Sequence, residues 1–275
     1  MLATQRWREA LAAWRIPDEI LAGAEGSPWV LPRHVFTGRV DRQLASPTGA
    51  SYLAAWQALD PPGSVLDVGA GAGAASLPLA PRATEITAVD ADAELLAEFA
   101  RRGAGGPVGV QGVPCHTVHG RWPEDADRVP HADVVVCHHV VYNAPELAPF
   151  VTALTDHARR LVVVETSDRH PLTELNPLWL RFHGISRPTG PTAEDALAVL
   201  AELGIRPRVH RWRRRPSIEH PEFATMVDVT RRRLCLPRGR TRDVADALTE
   251  LGYGGGRVAD LGSSGDDVTT FTWTP

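Results

Sequence analysis

Short apolar strands alternate regularly with helical segments between residues 65 and 164. Strands followed by helices of this length are typical of a parallel, doubly wound α/β sheet with helices on both faces. The apolar run Ala132–Cys137 is continuous, as expected of a strand that is buried on both faces. The five predicted strands are Val65–Val68, Ile86–Val89, Val113–Val118, Ala132–Cys137 and Leu161–Val164.

The regions on either side of this segment predict additional parts. Residues 1–60 contain helical patterns broken by prolines, with an irregular segment over 16–36, and we expect a helical N-terminal extension that acts as a lid. Residues 61–275 then form the main domain, with an insertion over 171–190 on the substrate side. Arg206–Arg213 and Asp267–Trp273 alternate like two late strands, with helical stretches between them.

Composition excludes several classes of protein. The 275 residues are 43% hydrophobic and 23% charged, which is ordinary for a soluble globular protein and excludes fibrous and disordered classes. No apolar stretch reaches the roughly 18 residues that span a bilayer, and we expect a cytoplasmic protein without membrane association. All 29 basic residues are arginine, so mechanisms that need a lysine are excluded. Three cysteines do not form a disulfide framework.

A glycine loop is the most informative motif. Gly69, Gly71 and Gly73 follow the first strand, and a helix is predicted to begin near Ala74. Glycines at this point let the backbone approach a ligand closely, although the spacing alone also fits a loose dinucleotide fingerprint. The ligand is therefore either a dinucleotide or a molecule with a positively charged group. Asp67 favours the second, because a carboxylate there repels a pyrophosphate and suits an ammonium or sulfonium group. Asp90 ends the second strand, where an acidic side chain accepts ribose hydroxyls.

The segments VLDVGAGAGAASLPLA and ITAVDADAELLAEFA resemble the class I S-adenosylmethionine-dependent methyltransferases. The resemblance implies a Rossmann-like seven-stranded sheet whose last hairpin is reversed, and S-adenosylmethionine as cofactor, with S-adenosylhomocysteine as product. It covers residues 61–203 well and the remainder only in outline. The cofactor-binding residues that it implies are Asp67, Gly69, Gly71, Gly73, Asp90, Ala91, Arg121, Trp122 and His138.

The turn that would flank the adenine departs from the family pattern. Such families often place an acidic residue in this turn, whereas this chain has Gly120-Arg121-Trp122 followed by Pro123. Either Trp122 stacks on the ring, or Glu124 or Asp125 takes the polar role.

Catalytic candidates follow the fourth and fifth strands, because ligands bind beyond the carboxyl ends of strands in open α/β sheets. His139, His170 and Glu165 are each able to accept a proton from an acceptor hydroxyl or amine. The alternative for each histidine is a buried or helix-capping side chain. The spacing of Cys115, His116 and His119 does not match a structural zinc site, and no metal is predicted.

These patterns predict an S-adenosylmethionine-dependent methyltransferase acting on an O or N atom of a small-molecule acceptor. An RNA methyltransferase that docks through the arginine-rich segment 206–215 is disfavoured by the net charge of −4, and a solvated edge strand explains the same arginines. The glycine loop would also suit a non-catalytic cofactor-binding homologue, or a nicotinamide-dependent oxidoreductase, which Asp67 disfavours. The sequence leaves the oligomeric state open.

Overall fold

The computed structural model describes residues 1–105, 109–215, 219–220, 222–254, 261–262 and 265–275. Helices alternate with strands through most of this length. The helices are α1 (Ala3–Ala12), α2 (Asp18–Leu21), α3 (Arg33–Ala45), α4 (Ala50–Ala58), α5 (Ala93–Gly103), α6 (Leu147–His157), α7 (Asn176–His183), α8 (Ala193–Glu202), α9 (Phe223–Arg233) and α10 (Thr241–Glu250). The strands are β1 (Gly63–Val68), β2 (Ala83–Asp90), β3 (Cys115–His119), β4 (Ala132–His138), β5 (Ala158–Ser167), β6 (Arg208–Arg213) and β7 (Asp267–Trp273).

The described strands form a seven-stranded sheet with the order β3-β2-β1-β4-β5-β7-β6. The first five strands are parallel, whereas β7 is antiparallel to both β5 and β6. The predicted doubly wound sheet with a reversed last hairpin is therefore confirmed. The strand order reverses between β1 and β4, and ligands of open α/β sheets bind at such a reversal.

Each face of the sheet is covered by helices. Alternate residues of the central strands point to opposite faces, so Leu66 and Val68 belong to one core and Val65 to the other. On the first face the core includes side chains of α1, α6 and α8, and on the second it includes side chains of α3, α4 and α5. Helices from the segment 1–60 thus pack into both main cores.

A third, smaller core lies outside the sheet. It joins the insertion after β5 to α9 and α10, through residues such as Leu178, Trp179, Val227 and Leu248. The aromatic side chain of Trp179 is almost fully buried there. We call the part of the chain formed by α7, α9 and α10 the cap. Among the described residues, no helix combines the length and apolar character that crossing a bilayer requires.

Two local predictions were wrong. The helix expected near Ala74 is replaced by turns and a 3-10 helix at Leu77–Leu79. Pro78 and Pro81 explain the difference, because proline lacks the N–H that continues a helix and disfavours helical geometry in the preceding residue. The segment 16–36, predicted as irregular, contains α2 and the start of α3.

Candidate active site

A cavity of about 1750 Å³ opens at the carboxyl ends of the central strands. Small-molecule sites usually measure roughly 300–1,000 Å³, so this cavity has room for two ligands side by side. We call the part of the cavity lined by the glycine loop and the end of β2 the first end, and Phe36 of α3 lies against Gly71 there. We call the part lined by the rest of α3, the end of β6 and the loop after β5 the second end.

The glycine loop approaches its neighbours too closely for side chains. Gly69 has φ +70°, and a Cβ there would lie 2.3 Å from Cγ2 of Val140. Gly73 has φ +96°, and a Cβ there would lie 2.6 Å from Leu77 and 2.7 Å from Phe99. Gly71 is different, because its Cβ position meets Phe36 at an ordinary 3.5 Å. The segment from Gly69 to Ala72 lines the cavity.

Asp90 lies where this loop meets the end of β2. Its Oδ2 accepts a hydrogen bond from the backbone N–H of Gly71 at 2.7 Å, and its Oδ1 accepts one from Asp92 at 2.8 Å. Each carboxylate oxygen has a second lone pair, so both remain able to accept a ligand hydroxyl. Asp92 caps α5 through the N–H groups of Glu94 and Leu95. The capping role therefore belongs to Asp92, and Asp90 lines the cavity.

Asp67 lies behind the loop. Its side chain is only 1% exposed, and its Oδ2 accepts a hydrogen bond from the Ser76 hydroxyl at 2.6 Å. Burial raises the pKa of Asp67 to about 7, against the lowering effect of the Ser76 hydrogen bond. Neither Asp67 nor Gly73 lines the cavity, whereas the other seven residues predicted to bind the cofactor do. These two residues support the loop from within.

The turn after β3 provides a second wall of this end. Arg121 and Trp122 line the cavity, and the Trp122 indole N–H donates to the carbonyl of Phe150 at 3.2 Å. Asp125 accepts a hydrogen bond from the backbone N–H of Arg121 at 2.8 Å and pairs with Arg128. Of the three residues weighed for this turn, Trp122 lines the cavity, whereas Glu124 and Asp125 do not.

Glu165 and His139 both line the cavity, and their side chains contact each other. Nε2 of His139 lies 3.1 Å from Oε1 of Glu165 and 3.1 Å from Nη2 of Arg214. The other carboxylate oxygen of Glu165 accepts a short hydrogen bond from the hydroxyl of Ser51. His139 has φ +60°, a left-handed conformation that costs a non-glycine residue energy and that clusters at functional sites.

The charges of this group follow from its burial. Burial lowers the pKa of His139 to about 4, with Arg214 acting in the same direction, although the hydrogen bond to Glu165 opposes the change. Burial by itself raises the pKa of Glu165, but its interactions with His138, His139 and Arg214 bring it well below the ordinary value. At pH 7 the pair therefore consists of a neutral imidazole and a carboxylate.

His170 lines the other end of the cavity and is held differently. Its ring stacks on Trp14 with centroids 4.1 Å apart, and its Nδ1 accepts a hydrogen bond from the N–H of Leu172 at 3.3 Å. It therefore has the capping role that was the alternative to catalysis. His170 nevertheless faces the cavity, as does Leu172 of the insertion.

The sequence analysis did not identify Ser51, Arg39 or Arg214 as site residues. No local pattern links Ser51 to the carboxylate of Glu165, which lies 114 positions away in the chain. The helix α3 had a detectable signal, because Phe36, Val40 and Leu44 recur at helical spacing. The described residues contain no group of three or more histidine, cysteine or acidic side chains arranged to hold a metal ion.

The residues at the first end fit an adenosine cofactor, since a bare backbone wall, an acidic side chain at the end of β2 and an indole lie together there. A family model described as a methyltransferase domain matches residues 65–161, from β1 into β5. The match covers about a third of the chain and is what this segment is similar to. It includes the glycine loop, Asp90 and His139, whereas Glu165 and Ser51 lie outside the matched range.

Several solved structures resemble the chain. Magnesium protoporphyrin IX methyltransferase from Synechocystis PCC 6803, with bound SAH, is 21% identical over 77% of this chain and 88% of its own, with a TM-score of 0.48. Mycolic acid cyclopropane synthase, complexed with SAH and CTAB, is 13% identical over 97% of both chains, with a TM-score of 0.49. The YcgJ protein from Bacillus subtilis is 16% identical over 81% of this chain and 95% of its own, with a TM-score of 0.48. A search of curated proteins found no match. At these identities and TM-scores, the substrates of those proteins do not transfer to this chain.

Proposed function

We propose that the protein transfers a methyl group from S-adenosylmethionine to an O or N atom of a small-molecule acceptor. The observation that carries this proposal is the position of Asp90, which is fixed by backbone N–H groups of Gly71 and Asp92 at the wall of the cavity. S-adenosylmethionine, when bound, supplies a methyl group on a positively charged sulfur. The match to a methyltransferase domain supports the same assignment.

Each wall of the first end has its own role in this proposal. Asp90 accepts the ribose hydroxyls, and the backbone from Gly69 to Ala72 lies against the methionine part. Ala91, Arg121 and Trp122 flank the adenine, and His138 faces the amino-acid end. Asp67 and Gly73 act indirectly, by holding the loop in its conformation.

The pair His139 and Glu165 is the proposed proton acceptor. Neutral His139 is able to take a proton from the acceptor, and the adjacent carboxylate stabilises the imidazolium that results. Ser51 holds Glu165 in place from α4. His170 is proposed as a wall of the acceptor site, because its Nδ1 already caps the segment that begins at Pro171.

A small acceptor is favoured over RNA by the surroundings of the arginines. The cavity is lined by the strand ends, by residues of the segment 8–49 and by Arg233 of the cap, and it contains aromatic and aliphatic side chains as well as arginine. Arg231 and Arg233 are buried within the cap rather than displayed on a docking face. β6 is an edge strand of the sheet, where exposed arginines protect against edge-to-edge association.

Isothermal titration of the purified protein with S-adenosylmethionine, S-adenosylhomocysteine and NAD tests the proposal. We expect both sulfur compounds to bind at micromolar concentration and NAD not to bind. Asp90→Asn removes a charged acceptor, so affinity for S-adenosylhomocysteine should fall by about 1–3 kcal/mol, or roughly 5- to 150-fold.

Asp92→Asn is the matched control. Asp92 also lines the cavity, but it caps α5, and asparagine is an equally good cap. Binding of NAD alone would refute the methyltransferase proposal. Equal affinities of the two variants would remove Asp90 from the cofactor site.

A further inference from the structure

The second end of the cavity is strongly basic. Ten arginines but only three carboxylates occur among the described residues that line the cavity. The carboxylates are Asp90, Asp92 and Glu165, and the first two belong to the cofactor end, as does Arg121 among the arginines. The arginines are Arg8, Arg15, Arg33, Arg39, Arg42, Arg121, Arg213, Arg214, Arg215 and Arg233.

Several of these arginines are neutralised by surface carboxylates. Arg8 pairs with Glu146, Arg15 with Asp18, Arg33 with Glu94, and Arg213 with Asp266. These four pairs are largely exposed to solvent and contribute little to the field inside the cavity. The charge of the second end is therefore set by the arginines of α3, of the end of β6 and of α9.

The α3 wall already binds one carboxylate. Glu219 is 2% exposed, and its carboxylate accepts hydrogen bonds from Nε of Arg39 at 3.2 Å and from Nη2 of Arg42 at 3.0 Å. Both guanidinium groups of this wall act on the same carboxylate. The side chains of α3 are thus directed so that they hold a carboxylate.

The opposite walls are positive as well. Arg214 contacts His139 and lines the cavity beside it, and Arg215 follows with an exposed side chain. Arg187 and Arg233 both lower the pKa of His170, after the larger effect of burial. A positive field at His170 is what an anionic ligand beside it would require.

Apolar surface accompanies these charges. Trp14, Trp29, Phe36, Leu172 and Trp212 line the same cavity. Arginine binds carboxylate and phosphate groups in a bidentate manner, and aromatic side chains pack against an apolar body. A cavity with both arginine and aromatic side chains therefore suits a molecule that has an anionic group and an apolar body.

We propose that the second end of the cavity binds an amphipathic anion, and that the methyl acceptor is a molecule with an apolar body and a carboxylate, sulfonate or phosphate group. Arg214 and Arg215 contact the anionic group, and the aromatic side chains contact the body. This inference rests on the proposed function for the identity of the ligand as a methyl acceptor. The preference for an anion does not depend on it.

A pair of fluorescent probes that differ in one charged group tests the anion preference. 8-Anilino-1-naphthalenesulfonate carries a sulfonate, whereas N-phenyl-1-naphthylamine has the same aromatic body without it. Fluorescence titrations are made at about 50 mM NaCl, with and without saturating S-adenosylhomocysteine. We expect the sulfonate to bind at least about tenfold more tightly than the neutral probe, and about 300 mM NaCl to reduce this ratio.

Substitutions then locate the anion. Arg214→Gln and Arg215→Gln should each weaken binding of the sulfonate about tenfold and leave the neutral probe unchanged. Arg215 is exposed, so Arg215→Gln is the variant whose folding is least affected. Arg208→Gln is the control, because Arg208 is an exposed arginine of β6 outside the cavity lining.

Equal affinities of the two probes, or an equal loss in the Arg208 control, would overturn the inference. Failure of the proposed function has a separate signature, namely no binding of S-adenosylmethionine or S-adenosylhomocysteine in the calorimeter. If the protein prefers the anionic probe but does not bind the cofactor, the anion site stands and the proposed methyltransferase function is refuted. If it binds the cofactor but shows no preference for the anionic probe, the proposed function stands and the anion site is refuted.

Discussion

We expect His170 to make the free energy of unfolding fall in acid. The ring is enclosed by Trp14 and Tyr142, and burial together with Arg187 and Arg233 lowers its pKa from 6.5 to about 4. The folded protein therefore binds this proton more weakly than the unfolded chain does. The resulting stability is fully present above pH 6.5 and is lost as the pH falls toward 4.

The size of the effect follows from the two pKa values. A tenfold change in proton affinity corresponds to about 1.36 kcal/mol, so a fall from 6.5 to about 4 amounts to about 3 kcal/mol. By about pH 4.5, about 2.5 kcal/mol of this contribution to the free energy of unfolding is lost. Other groups titrate in the same range, so the effect of His170 has to be isolated by substitution.

The substitution His170→Asn isolates the contribution of His170, because asparagine does not titrate. The asparagine side chain is also able to accept the hydrogen bond from the N–H of Leu172. At about pH 7.5 the variant should be less stable by about 1 kcal/mol, since the stacking on Trp14 is lost. At about pH 4.5 the order should reverse, with the variant more stable by about 1–2 kcal/mol. Urea unfolding at both pH values measures this, and a difference between the two proteins that does not change with pH would refute the reasoning.

Two further substitutions test the packing around the site. Gly69→Ala should destabilise the protein by at least about 2 kcal/mol in urea unfolding, because its Cβ would overlap Val140 in addition to straining a positive φ. Gly204→Ala is its control, since Gly204 has φ +79° with no atom near its Cβ position, and an equal loss there would assign the whole effect to φ. Trp7→Phe should lower the free energy of unfolding by about 1–3 kcal/mol, because the fully buried indole N–H donates to the carbonyl of Ala144 at 2.8 Å. A urea midpoint equal to that of the wild type would contradict this account of Trp7.

Local sequence patterns were enough to predict the alternating strands between residues 65 and 164 and the nature of the sheet. An apolar run such as Ala132–Cys137 needs no distant information, and it became a strand within a residue of its predicted bounds. The glycine loop and Asp90 were found for the same reason, since strand, turn and carboxylate are close together in the chain. Pro78 and Pro81 were equally visible, and they explain why no α-helix follows the loop.

Tertiary packing determines how the distant parts combine. Ser51, Glu165 and Arg214 come from α4, β5 and the end of β6, and only the packing of those elements places them around His139. Packing also turned Asp67 toward Ser76 and away from the cavity. The charge of the second end arises in the same way, because arginines of α3, of the end of β6 and of α9 line the same cavity. Side-chain identity is encoded locally, but pKa values, burial and electric field depend on neighbours far away in the chain.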